Sequence, residues 1–122
     1  MMSTRSLIGF QDNQGVVGIY CHYDGNPEHV GKILIEHHNS TPAMLKLITG
    51  AQIRNFDHDG QYARFTDDGD ESAAETFESV EQALNDCFDY VYLFTDKWEC
   101  YTLARGIGVK RVRLYNKEVQ EC

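Results

Sequence analysis

The chain has 122 residues, 42% of them apolar and 25% charged, which suits one folded domain with a single core and excludes disorder over most of its length. Lysine and arginine number 11 against 19 aspartates and glutamates, a formal net charge of −8. That balance disfavours direct nucleic-acid binding by the whole chain, because displacing counterions from phosphates needs a positive footprint. No apolar run approaches the roughly 18–20 residues that span a bilayer, and Met1 to Phe10 lacks the long apolar segment of a signal peptide, so a cytoplasmic location is expected. Cys21, Cys87, Cys100 and Cys122 form no CxxC pair and read as free thiols of a reducing compartment.

In chain order, the apolar run Ser6–Phe10, the turn-like Asp12-Asn13-Gln14-Gly15 and the run Val16–Tyr23 predict a hairpin of roughly ten residues per arm. Alternation along the second strand places His22 and Asp24 on one face. The cluster Asp24-Gly25-Asn26-Pro27 ends that strand, with Asn26 as expected N-cap, Pro27 in the first helical turn and Glu28 near the positive end of the helix dipole. Val30, Ile33 and Leu34, with His37 or His38, form its buried stripe, while His29, Lys32 and Glu36 lie off it.

Thr41-Pro42 predicts the N-cap and first position of a second helix, which carries Met44, Leu45, Leu47 and Ile48 and closes at Gly50. Asp57-His58-Asp59-Gly60 and Asp67-Asp68-Gly69-Asp70 carry turn chemistry, with a candidate strand from Gln61 to Thr66 between them. Ser79-Val80-Glu81-Gln82 has a capping-box pattern that opens a helix burying Val80, Ala83, Leu84 and Cys87. Tyr90–Phe94, the turn Thr95-Asp96-Lys97 and Trp98–Leu103 predict a second hairpin. A last strand, Val109–Tyr115, places Arg111, Arg113 and Tyr115 on one face, and a frayed tail is expected over 116–122. The expected fold is therefore a single α+β domain, an antiparallel β-sheet packed against two to three α-helices.

Charge is unevenly distributed. From Phe65 to Asp96 there is no lysine or arginine, yet ten acids occur: Asp67, Asp68, Asp70, Glu71, Glu75, Glu78, Glu81, Asp86, Asp89 and Asp96. Between Arg105 and Lys117 the balance reverses, with Arg105, Lys110, Arg111, Arg113 and Lys117. Such zones commonly serve as solvated faces, and the acidic one also suits a basic partner surface, including one that normally holds nucleic acid.

Four of the five histidines, a cysteine and several carboxylates lie between Ile19 and His38. His22, Asp24, His29, His37 and His38 have the donor types of a metal site, but adjacent His37 and His38 point about 100° apart on a helix, so no metal is assigned. Cys21 and His22 are strand neighbours on opposite faces and cannot share a proton. Asp57-x-Asp59-Gly60 and Asp67-Asp68-x-Asp70 lack the full ligand set of a calcium loop, and neither Gly15-Val16-Val17-Gly18 nor Gly106-Ile107-Gly108 leads into a helix as a phosphate loop does. Ser3-Thr4-Arg5 before a first strand has the outline of an N-terminal-nucleophile hydrolase, but two methionines precede Ser3. No catalytic residue and no cofactor are assigned, and a metal-dependent or N-terminal-nucleophile hydrolase is the weakest reading.

The opening Ser3-Thr4-Arg5-Ser6-Leu7-Ile8-Gly9 and the segment Ile19-Tyr20-Cys21-His22-Tyr23-Asp24-Gly25-Asn26-Pro27 are followed by Val30-Gly31-Lys32-Ile33-Leu34 and Glu36-His37-His38, and later by Tyr90-Val91-Tyr92-Leu93-Phe94 with Trp98. Together, across most of residues 3–103, they resemble a family of small uncharacterised proteins encoded by bacteriophages, prophages and related mobile elements. The chain departs from that pattern at Asn26, where a bulky aromatic is usual, and after Gly50. The resemblance implies an origin and a bacterial host cytoplasm, and supplies no reaction.

Two functions are expected from these readings. The first is a non-enzymatic phage or mobile-element accessory protein that binds a host macromolecule, a defence or nucleic-acid-handling factor, through an acidic surface including Glu75, Glu78, Glu81 and Asp86. The alternative is a small-ligand protein that binds or sequesters a nucleotide-like molecule or anion at the strand–turn–helix unit 19–38, with Tyr20, His22, Asp24 and His29 as binding residues. No membrane partner is expected, and Val109–Tyr115 is a candidate edge for a homodimer.

Overall fold

The computed structural model describes residues 4–65, 73–86, 88–104 and 106–114. The first hairpin forms where alternation and turn chemistry put it: β1 (Ser6–Asp12) and β2 (Gly15–Cys21) pair antiparallel, with Leu7 opposite Tyr20 and Ile8 opposite Ile19. Asp12 closes the turn, its Oδ1 accepting the Gln14 N–H at 2.8 Å and the Gly15 N–H at 3.1 Å. Each arm is shorter than expected. Strand β2 stops at Cys21, and the left-handed φ of 54° at Asp24 turns the chain away, so the alternation that would align Asp24 with His22 ends there.

Pro27–Gly31 makes one π-helical turn, in which the Lys32 N–H reaches the Pro27 carbonyl, and runs directly into α1 (Lys32–His37). Asn26 stands at the N-cap as expected, but its side chain makes no capping bond. Its backbone carbonyl instead accepts the His29 and Val30 N–H groups, each at 3.0 Å. Helix α2 (Thr41–Ile48) is capped one residue before Thr41, because Ser40 is extended and its Oγ accepts the Ala43 N–H at 3.2 Å. The expected stripe of Val30, Ile33, Leu34, Met44, Leu47 and Ile48 is buried, whereas Leu45 and His37 face solvent.

A short hairpin follows, β3 (Ile53–Phe56) and β4 (Tyr62–Arg64) around the Asp57–Gly60 turn. After β5 (Glu75–Phe77), α3 (Val80–Asp86) opens with Ser79 Oγ accepting the Gln82 N–H at 3.1 Å. The reciprocal arm of the box reaches one residue further back, Gln82 Oε1 accepting the Glu78 N–H. Strands β6 (Tyr90–Phe94) and β7 (Trp98–Ala104) form the second hairpin as read, and β8 (Gly108–Val112) pairs with β7 and is the last strand of the sheet among the described residues. Ser3, Asp67–Glu71, Cys87, Arg105 and the segment from Tyr115 to the tail at 116–122 lie outside the described residues.

The strands form one sheet in the order β4-β3-β2-β1-β6-β7-β8, with β5 beside the first half of β2. The sheet is mostly antiparallel, and two pairs depart from expectation: β1–β6 and β2–β3 are parallel. Parallel neighbours need a crossover connection, and the π turn with α1 and α2 supplies it between β2 and β3. Both faces are covered. Ile8, Ile19, Tyr92 and Cys100 lie in one cross-strand row and bury with Leu34 and Leu47 of α1 and α2. Leu7, Val16, Val91 and Leu93 point the other way and bury with Ala83 and Leu84 of α3 and with Phe77 and Phe88. The molecule is a small single-domain α+β fold, with three α-helices among the described residues. Among the described residues no helix is long and apolar enough to cross a membrane.

Candidate functional site

Two residues apart near the end of β2, Tyr20 and His22 project on the α3 side of the sheet, and the Tyr20 hydroxyl meets His22 Nδ1 at 2.5 Å. That bond holds the imidazole in one orientation and leaves Nε2 as its second polar atom. Three aromatic rings surround His22: Tyr23 at 4.4 Å, Tyr20 at 5.6 Å and Phe65 at 5.6 Å between centroids, all edge-on. The ring contacts continue inward from Tyr20 to Phe88 at 5.8 Å and from Phe88 to Phe77 at 5.7 Å. One end of this aromatic chain is thus buried beneath α3. The other end surfaces at Tyr23, 40% exposed, and Phe65, 50% exposed.

Of the four residues expected to bind a ligand, the structure brings Tyr20 and His22 together, leaves Asp24 exposed on the turn, and places His29 in the helical layer over the opposite face. The turn itself is filled. The Gly25 N–H donates to the Thr4 carbonyl at 2.9 Å, the Gly25 carbonyl accepts the buried Tyr92 hydroxyl at 2.6 Å, and a Cβ on Gly25 would sit 2.7 Å from Ser6 Oγ. His29 and His38 hold the β3–β4 hairpin: His29 Nε2 bonds the Phe56 carbonyl at 2.9 Å and His38 Nε2 bonds the Gly60 carbonyl at 2.7 Å. Carbonyl acceptors require the proton on Nε2 in both rings. Burial holds the His38 pKa below that of a free imidazole, and the nearby His37 and Lys46 act in the same direction against the stabilising bond to Gly60. Among the described residues no three His, Cys, Asp or Glu side chains group to hold a metal ion.

Cys21, next to His22, is buried on the helical side, and its thiol lies 3.8 Å from the Tyr23 carbonyl. Burial pushes its pKa up to about 12, as it does that of Cys100, so neither supplies a thiolate near neutral pH.

The four expected partner-binding acids all stand on the α3 side. Ala83 and Leu84 point into the core, while Glu81, Gln82, Asn85 and Asp86 form the outward face of α3, and Glu75 and Glu78 precede it, both exposed. No described lysine or arginine pairs with Glu75, Glu78 or Glu81. Asp86 is in the last turn of α3, at the negative end of its dipole, and the last turn carries no basic residue. Phe65 and Phe88 escape a sequence reading of this region, because only the pairing of β2 with β3 and the docking of α3 bring them to Tyr20 and His22.

No family model matches the chain, and neither a curated protein nor a solved structure matches it.

Proposed function

We propose that the protein is a non-enzymatic accessory factor of a phage or mobile element that binds a basic surface of a host macromolecule in the bacterial cytoplasm, a defence or nucleic-acid-handling protein. The observation that carries this reading is a pair of surfaces, one acidic and one aromatic. Glu75, Glu78, Glu81 and Asp86 form an exposed acidic face, and the aromatic chain that begins beneath α3 reaches the surface at Tyr23 and Phe65. Exposed aromatics anchor protein interfaces, and surrounding charges steer and orient the partner. Raised thiol pKa values at Cys21 and Cys100 give no support to a cysteine nucleophile.

The test is capture of a host protein from bacterial lysate on the immobilised chain, followed by its identification and a binding titration with the purified partner. Charge reversal at Glu75, Glu78 and Glu81 together is expected to weaken that binding tenfold or more, as is a rise to 0.5 M salt, about 4 Å in Debye length. Salt-insensitive binding, or no retained partner, overturns the reading. A second copy pairing through the open edge of β8 belongs to the same proposal, since β8 is the last strand of the sheet among the described residues and carries Lys110 and Arg111. Light scattering across a salt series expects a dimer that deletion of residues 109–122 abolishes, and a monomer at every salt concentration removes it.

A further inference from the structure

A cavity of about 590 Å³ opens at the β8 end of the sheet, between the C-terminal end of α1, the start of β7 and the end of β8. Its volume is in the range of small-molecule sites. Lys97, Arg111 and Arg113 line it, in a chain with 11 basic residues against 19 acidic ones. The one carboxylate in the lining, Glu99, is bound to Arg111 at 3.2 Å, while Lys97 and Arg113 have no ion-pair partner among the described residues. The remaining wall is mixed, with the amide of Asn39 beside the apolar Ile35, Trp98, Val112 and Leu114. Trp98 is buried and fixed by its Nε1–H bond to the His38 carbonyl at 3.0 Å, and Ile35 and Leu114 pack against the same core.

We propose that this cavity binds a small phosphate ester, a compound of mononucleotide size with an anionic end and a flat, apolar end. The guanidinium of Arg113 and the ammonium of Lys97, with Arg111 held by Glu99 in the same lining, suit the several oxygens of a phosphate, which guanidinium forks bind through paired hydrogen bonds. Half-buried Ile35, Val112 and Leu114, in the same lining as Trp98, offer the apolar surface for the other end of the ligand. The site lies away from the Tyr20–His22 pair and the acidic face of α3 and stands or falls independently of a partner on that face, while it shares Arg111 and Val112 with the β8 edge.

Trp98 is the sole tryptophan of the chain, so its fluorescence reports on this cavity. Titration of the full chain with adenosine monophosphate is expected to change Trp98 emission saturably, with inorganic phosphate competing and adenosine failing to bind. Arg113→Gln should weaken that binding about tenfold or more, the loss expected of one charged hydrogen-bonding contact, and Arg113→Lys should recover part of it. Arg54→Gln, on the exposed surface of β3, should change nothing. Three results overturn the proposal: no saturable change with either the nucleotide or phosphate, equal binding of adenosine, or a response that Arg113→Gln leaves intact. Arg113 is exposed, and unaltered emission of the unliganded variant confirms its fold.

Discussion

The hydroxyl of Tyr92, in the middle of β6, donates to the carbonyl of Gly25, 67 positions earlier, at 2.6 Å and out of contact with solvent. This bond fastens the turn between β2 and the helical layer to the centre of the sheet. Tyr92→Phe removes the donor and strands a buried carbonyl, for which the expected cost is about 1–3 kcal/mol. Urea unfolding should show a lower midpoint at unchanged slope. A variant as stable as the parent would mean that water reaches the Gly25 carbonyl.

Alkaline pH should destabilise the fold early. Burial raises the Cys21 and Cys100 pKa values to about 12, and raises that of Tyr92 well above its ordinary value of 10.0. A group whose folded pKa lies above its unfolded one keeps its proton longer in the native state, so its stabilisation is full below the unfolded pKa and is lost as pH rises beyond it. The decline should begin near pH 9 with the two thiols, at up to about 1.4 kcal/mol per pH unit for each, and steepen beyond pH 10 with Tyr92. Urea midpoints at pH 7, 9 and 10.5 measure it. Equal midpoints would refute the burial of these groups, and so would alkylation of Cys21 or Cys100 in the native protein by an iodoacetamide pulse.

At acid pH the sensitive group is His38, whose depressed pKa arises first from burial. An imidazole that protonates less readily when folded stabilises the native state above the unfolded pKa of about 6.5, and that stabilisation falls away as pH drops through the folded value. Stability should therefore fall between pH 7 and 5. His38→Gln keeps an N–H donor for Gly60 and should flatten that slope. If thermal melts of the two proteins fall in parallel over this range, another group is responsible.

What the sequence made legible is what depends on neighbours. The hairpin turn at Asp12 and the Ser79–Gln82 cap are closed by near neighbours, and the β6–β7 hairpin starts at the close pair Phe94 and Trp98, where turn and capping chemistry decide the outcome. The parallel pairing of β1 with β6 joins residues 84 apart, such as Ser6 and Tyr90, and no local pattern encodes it. The histidine-rich segment shows the same division. Alternation aligned His22 with Asp24, yet the left-handed turn at Asp24 ends that alignment and His22 pairs with Tyr20, while His29 and His38 bond the β3–β4 hairpin, so a cluster in sequence is no cluster in space.

Arg64 is the clearest case of an unread role. From β4 its guanidinium donates to the Lys46 and Leu47 carbonyls, each at 3.1 Å, and to the Ala51 carbonyl, while lying 5.2 Å from the centre of the Tyr62 ring. The last carbonyls of a helix have no partner within it, and here Arg64 takes two from α2 while the Thr49 hydroxyl takes that of Leu45 at 2.8 Å. A planar fork with five donors can serve three acceptors in this geometry, whereas the ammonium of a lysine is a point charge on a flexible stem. Arg64→Ala should therefore cost about 2–3 kcal/mol, the value of charged hydrogen bonds to partly buried acceptors, and Arg64→Lys should recover less than half of that loss. Hydrogen exchange provides the local readout, with faster exchange confined to α2 and the 49–53 connection in the alanine variant. If Arg64→Ala unfolds within about 0.5 kcal/mol of the parent, the range of ordinary surface substitutions, the guanidinium does not hold α2 to the β3–β4 hairpin.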